Sequence, residues 1–443
     1  MRDTSEPTDI SGKPGASIHM PDARGGVRPQ RPIAAEQAVP FGRRLLALDG
    51  IRGLAILSVI AFHTLRVSGG GVGFALWRLL QESSWAGVDL FFALSGFLIT
   101  GILLDSRQCN GYFRNFYIRR ALRIMPLYYA VLVVAIFLVP HVLGFSRLPA
   151  IYSRLTDNQI WLWTYLQNYL QTKGAHQLPG LGHFWSLAVE EQFYWVWPLV
   201  IYFVSSRSLL RICVAVCCLE PVLRLSLLFF GFSPWAVRQY TFTRIDTLLY
   251  GAIAAIVFRN TELVTSRRRL ILVLVGTAAG VLSAIVVRHG FLPYESPETL
   301  VAGYSALGLL FAVIIYLCAS TEGRLSALFS NPLLRWFGRC SYAIYIFHWP
   351  FAQAYDATVA LRFAFLSPLP FAILRFVFVT GVSSAVAWIS WTAFESQFLK
   401  LKQYFEYRGK AALKIDVLPD VFPSETRRGE ETSIRAATGS VLT

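Results

Sequence analysis

Charge is what this sequence has least of. Only 15% of its 443 residues are Asp, Glu, Lys or Arg, where an ordinary soluble domain carries about 25%. Polar linkers are missing too: none interrupts the chain between about residues 45 and 396, although a soluble chain this long should divide into two or three domains. Cysteine is sparse. The six include no CxxC pair and no disulfide framework, which excludes a secreted disulfide scaffold; five lie in or beside apolar stretches, where a free thiol acts as small apolar filler. No apolar segment near the start follows the pattern of a signal peptide. The P-loop, GxSxG and HExxH signatures are absent, as is any convincing metal-ligand spacing, so no metal is expected.

What fills the chain instead is apolar: 55% hydrophobic and 14% aromatic residues. Runs of roughly twenty apolar residues, the length a helix needs to cross the bilayer core, follow one another. Ten spans are expected, at 45–65, 84–104, 121–139, 184–204, 212–230, 242–258, 270–287, 300–319, 336–356 and 370–396. The fold class is therefore all-α, a polytopic membrane protein with about ten transmembrane helices. The flanking segments, a 1–40 tail and the residues after 400 (401–443), are rich in Pro, Gly and mixed charge and are expected to be largely disordered, leaving 41–400 as the membrane domain. The loop at Gly69–Gly71 reads as a flexible outer connection.

The net charge of +15 does not point to nucleic acid. The two tails are balanced, and residues 41–410 hold 32 basic against 16 acidic side chains. Basic residues between hydrophobic spans are topology signals and contacts for anionic lipid or phosphate. With the N-terminus inside, the inside segments hold 18 Lys and Arg and the outside segments 8, so ten spans with both termini cytoplasmic satisfy the positive-inside rule. In the long outer segment 140–183, the aromatic run with Trp161, Trp163, Tyr165 and Tyr169 reads as one helix lying at the interface, either anchoring at headgroups or stacking on sugar rings.

Ionisable residues inside spans are expensive, and each is a candidate for function. Arg52 and His63 are eleven residues apart in the first span, which places them on one helical face, about 16 Å apart in rise. Asp89, Glu190, Glu191, Arg244, Asp246 and His348 fall at a depth similar to that of His63 on four other spans. Together they suggest a polar cavity in the outer half, in which a carboxylate orients His63 as a general base. The plain alternative is a set of structural pairs, Arg244 with Asp246 foremost, and a satisfied interfacial histidine. On the opposite side Arg119, Arg120 and Arg123 open the third span. Arg120 and Arg123 share a face and form a fork suited to phosphate; a positive-inside anchor is the other reading.

Six stretches in order, LDGIRGLAILSVIAFH, GVDLFFALSGFLITGILL, FYIRRALRIMPLYY, FWSLAVEEQFYWVWPL, RIDTLLYGAIAA and SYAIYIFHWPF, together resemble the motifs of the acyltransferase-3 family of integral membrane proteins. The resemblance implies transfer of an acyl group, most often acetyl, from cytoplasmic acyl-CoA to a hydroxyl of a glycan, glycolipid or other surface-bound acceptor, in a bacterial inner membrane. It puts the Arg-x10-His motif on Arg52 and His63, the Arg-x-x-Arg motif on Arg120 and Arg123, and the motif carboxylate on Glu190, with Glu191 beside it. His63 polarised by Glu190 would then deprotonate the acceptor, with the CoA phosphates at Arg120 and Arg123. Some relatives carry an additional soluble esterase-like domain after the membrane body, and here a disordered tail is expected. The competing class is a transporter or flippase, for which charges facing a cavity are equally natural; no similarity between the two halves of the chain supports it.

Overall fold

A computed structural model describes residues 41–67, 72–143, 152–173, 178–260, 262–363 and 365–407. The expected disorder of residues 1–40 and of the chain beyond 407, and the loop at Gly69–Gly71, lie outside the described residues. Among the described residues every regular element is a helix. The ten principal ones are α1 (Phe41–Thr64), α2 (Gly87–Ser106), α3 (Tyr112–Val133), α4 (Trp185–Phe203), α5 (Ser206–Phe229), α6 (Ile245–Phe258), α7 (Arg268–His289), α8 (Tyr304–Ser320), α9 (Pro332–Thr358) and α10 (Pro368–Ser390).

Each expected span is helical, but the count of ten crossings is not confirmed. Among the described residues seven helical stretches are long and apolar enough to cross a membrane: those built on α1, α2, α3, α5, α7, α8 and α10. The α6 helix is apolar but short. The other two, α4 and α9, do not meet the test; α4 carries Glu190 and Glu191, and α9 carries Arg335, Arg339 and Asp356. The chain is a multi-pass membrane protein whose least apolar helices also hold candidate site residues.

The helices sort into an inner and an outer group. Half or more of the apolar window is buried in α1, α2 and α8, against 11% in α7 and 22% in α5 and α10. The peripheral helices expose Leu219, Val222, Leu272, Val273, Ile373 and Val377, faces that a hydrocarbon solvent accepts without cost. Small residues bring the inner helices together, as packing in lipid requires. Gly53 of α1 meets the Leu334 carbonyl of α9, and Gly338 of α9 meets the Asp49 carbonyl of α1, with no room for a Cβ at either position. The seam sets α1 flat against α9 and carries it up to the level at which His63, near the end of α1, meets His348 of α9.

The 160–170 aromatic run is not a single interfacial helix. It breaks into short turns, Gln159–Trp163 and Gln167–Thr172, with Tyr165 between them at φ 54°. Tyr165 stacks on Tyr128 of α3 at 4.2 Å and Trp163 on Tyr129 at 5.6 Å. Packing against α3 has overridden the amphipathic pattern, and the run buttresses the protein core. Residues 401–407 also pack: Arg119 donates to the Lys402 carbonyl at 3.2 Å and Asn115 to that of Glu406 at 2.9 Å, so the ordered body extends past residue 400.

Candidate functional site

His63 is the penultimate residue of α1. A helix end leaves its last carbonyls without intrahelical donors, and Arg375 of α10 donates to the His63 carbonyl at 2.8 Å, with Asp356 holding the guanidinium in turn. The imidazole is fixed separately. His63 Nδ1 lies 3.2 Å from His348 Nε2, and His348 Nδ1 lies 2.6 Å from the Tyr345 carbonyl. A carbonyl only accepts, so His348 Nδ1 carries the proton. Its Nε2 is then the acceptor in the neutral ring, and His63 Nδ1 donates to it. Assigned in this way from its partners, the His63 ring keeps the Nε2 lone pair free. The indole of Trp349 packs on the ring at 4.6 Å between centroids.

That ring lines a cavity of about 510 Å³. Its walls are largely aromatic, with Trp85, Trp185, Trp235, Tyr294 and Trp349 among them, and Arg66 and Gln353 stand exposed at its rim. A third histidine, His183, also lines it, with its ring centroid 4.9 Å from that of His348. Neither ring nitrogen of His183 has a hydrogen-bond partner among the described residues. It faces the carbonyls of Tyr345 and Ile346; the latter lacks its usual i+4 donor because residue 350 is proline. Tyr345 ties α9 to the start of α4, with its hydroxyl 2.5 Å from Ser186 Oγ and 3.0 Å from the His183 carbonyl.

Seven ionisable residues besides Arg52 are expected from their depth to surround one cavity, and the structure separates them. Asp89, Arg244 and Asp246 are not cavity residues: Arg244 donates to Asp89 at 2.5 Å, and Asp246 is held by Arg224 at 2.8 Å and by Ser305 at 2.6 Å, all fully buried. Arg224, in α5, was not anticipated as Asp246's partner, and Arg244 pairs with Asp89 rather than Asp246. Nor does Glu190 orient His63. It accepts from Ser95 at 2.7 Å, and the charges it faces are those of Arg120 and Arg52. Glu190 sits five residues, about 7.5 Å of rise, beyond Trp185; hydropathy fixes depth only to within a few residues, and this difference is enough to take the carboxylate away from the ring. Glu191, about 100° further round α4, is buried, and the positive charge whose field reaches it is that of Arg120. His348, which was expected to line the cavity, stands behind His63.

Arg52, Arg120 and Arg123 are brought within electrostatic reach of one another. Arg52 pairs with Asp49 at 3.3 Å, Arg120 stacks over Tyr194 at 4.1 Å, and Arg123 lines a small hollow with Glu395 and Arg339. Among the described residues no group of His, Cys, Asp and Glu could hold a metal ion. Of the polar residues that line the cavity only His63 was expected from the sequence; His183, Arg238, Arg66, Gln171 and Gln353 were not. His183 had a signal in its place at the head of the fourth span, next to Phe184 and Trp185; Arg238 had one in an arginine flanked by Trp235 and Tyr240.

The profile of the acyltransferase domain of the acyltransferase-3 family matches residues 45–391. The peptidoglycan O-acetyltransferase OatA of Listeria monocytogenes is 32% identical over 319 residues, 69% of this chain and 49% of that protein. The putative peptidoglycan O-acetyltransferase YrhL of Bacillus subtilis is 31% identical over 70% of this chain and 48% of its own length, and a putative O-acetyltransferase of Staphylococcus aureus (strain COL) is 25% identical over 69% and 50%. The chain thus spans about half the length of these curated relatives. No solved structure matches it. A family profile that covers most of the chain, and relatives nearly a third identical over some two thirds of it, place this protein in the acyltransferase-3 family.

Proposed function

We propose that the protein is a membrane-bound O-acyltransferase that moves an acyl group, acetyl in the simplest case, from acyl-CoA to a hydroxyl of a cell-surface glycan such as peptidoglycan. The observation that carries the reading is the His63 imidazole, held in one tautomer by His348 with its Nε2 lone pair free, on the wall of an aromatic cavity. Aromatic walls suit the apolar faces of sugar rings, and Gln171 and Gln353 on the same cavity offer amides for hydroxyls. His63 Nε2 takes the acceptor hydroxyl proton as the oxygen attacks the thioester carbonyl. The tetrahedral adduct collapses with cleavage of the C–S bond, and the imidazolium returns its proton to the departing CoA thiolate. His348 would stabilise the cation by accepting from Nδ1, the part a carboxylate plays in a catalytic triad.

Arg52, Arg120 and Arg123 are the groups suited to the phosphates of CoA, about 16 Å of α1 rise from His63, a distance the extended pantetheine arm spans. In this reading the arginine end faces the cytoplasm of a bacterial inner membrane, both termini are cytoplasmic and the acceptor enters from outside. The test is acyl transfer by the purified protein in lipid nanodiscs, with acetyl-CoA as donor and peptidoglycan fragments as acceptor. His63→Ala should lower the rate by about 10²–10⁴ in protein of unchanged melting temperature. Full activity in that variant, or substrate movement across the bilayer without CoA consumption, would overturn the reading.

A further inference from the structure

Arg238 lines the His63 cavity from the short helix Pro234–Gln239. Its position is built. Trp235 donates to the Gln171 carbonyl at 3.3 Å and Asn168 to the Gln239 carbonyl at 3.2 Å, so the helix is tied to the turn Gln167–Thr172 on both sides of the arginine. The side chain is only 8% exposed, and its guanidinium lies 4.9 Å from the Trp185 ring, 5.6 Å from Trp235 and 4.8 Å from Tyr294, all three of them cavity walls.

What the site lacks is an anion. Among the described residues no carboxylate forms an ion pair with Arg238, and none forms one with Arg66 at the rim. The carboxylate whose field reaches Arg238 is Asp89, and that group is already held 2.5 Å from Arg244. The Tyr304 hydroxyl is a polar neighbour, but a guanidinium has five N–H donors to satisfy. Every other fully buried arginine described, Arg224 and Arg244, has its aspartate. A buried charge is costly without a partner, and aromatic faces compensate only part of the cost. The arrangement is that of a site whose missing charge arrives with the ligand.

We infer that the cavity selects an acidic acceptor: a sugar whose carboxylate docks bidentately on Arg238, with Arg66 at the rim, while its hydroxyl reaches His63. The inference rests on the acyltransferase reading and names its substrate class. The carboxylate belongs to the acceptor rather than to the donor, because Arg52, Arg120 and Arg123 form a separate cluster suited to the CoA phosphates, with Glu190 and Glu191 among them.

The experiment uses the full chain in nanodiscs with acetyl-CoA and two probes, a peptidoglycan disaccharide with its lactyl carboxylate free and the same disaccharide with that group converted to the carboxamide. In the wild-type protein the acid should have a KM at least about tenfold below that of the amide, as a charge-assisted bidentate contact provides. Arg238→Gln should raise the KM of the acid to that of the amide, Arg238→Lys should retain part of the difference, and the KM for acetyl-CoA should not move. Equal KM values for acid and amide in the wild type overturn the inference without recourse to any variant. So does a fall in kcat that is the same for both probes in Arg238→Gln, which would assign the guanidinium to the developing oxyanion. Acetyl-CoA hydrolysis without transfer to either probe defeats the acceptor assignment alone; neither hydrolysis nor transfer defeats the acyltransferase reading with it.

Discussion

Two polar regions of this protein bury arginine to opposite ends. In the interior, Arg224 with Asp246 and Arg244 with Asp89 are closed pairs, each arginine facing a carboxylate, with Ser305 completing one of them. At the His63 cavity the polar groups are incomplete: among the described residues neither ring nitrogen of His183 has a hydrogen-bond partner, no carboxylate pairs with Arg238, and the His63 ring keeps its Nε2 lone pair. A pair that is satisfied within the protein has little left to offer a ligand, whereas groups held buried and unsatisfied are ready to meet one. Charge inside a membrane span is therefore only half a criterion for function. The other half is whether the fold supplies the counter-charge.

The comparison can be broken most severely on the closed side. Asp246→Ala strands a fully buried Arg224 and should destabilise the protein by about 3–5 kcal/mol, seen as a large fall in melting temperature in detergent. Replacing Arg224 and Asp246 together with apolar residues of similar volume should recover most of that loss; a single variant as stable as the wild type would mean that the pair is not a structural one. On the open side the expectation is the reverse, activity lost with stability kept, and His63→Ala tests it directly. His348→Phe should cost less than His63→Ala, roughly tenfold to a hundredfold in kcat, and should alter the pH dependence of kcat because the His63 tautomer is no longer set. An unchanged pH profile would make His348 a packing residue. The smallest effect is expected for Glu190→Gln. That carboxylate faces Arg52 and Arg120 rather than His63, so the change should appear in the KM for acyl-CoA and leave the pH profile of kcat alone. A shifted pH profile would return Glu190 to His63.

Much of the architecture was legible in the sequence. The positions of all ten principal helices follow from hydropathy alone, and so does the placing of Arg52, Arg120 and Arg123 at the same end of their spans; that they come within electrostatic reach of one another is a result of the packing. The exceptions have local causes. Polar and charged residues take α4 and α9 below the apolarity of a spanning helix, so helix formation was readable there and membrane crossing was not. The Trp161–Tyr169 run has interfacial composition, yet its rings fold onto Tyr128 and Tyr129 because stacking in the core removes more apolar surface from solvent. Arg224 passed unnoticed because a charge in the middle of an apolar helix declares no partner until that partner is seen.

The sequence by itself determined the membrane class, the helices, the family motifs and the inventory of rare ionisable residues, because each of these depends on composition or on spacing along a single chain segment. Only the tertiary structure decided who meets whom. Hydropathy measures depth along a helix and says nothing of the neighbour a side chain faces. Residues 285 positions apart thus became the His63–His348 pair, while Glu190, close to His63 in expected depth, turned to the arginines. Helix packing sets those neighbours through close contacts such as Gly53 and Gly338, and neighbours decide whether a buried charge is structure or chemistry.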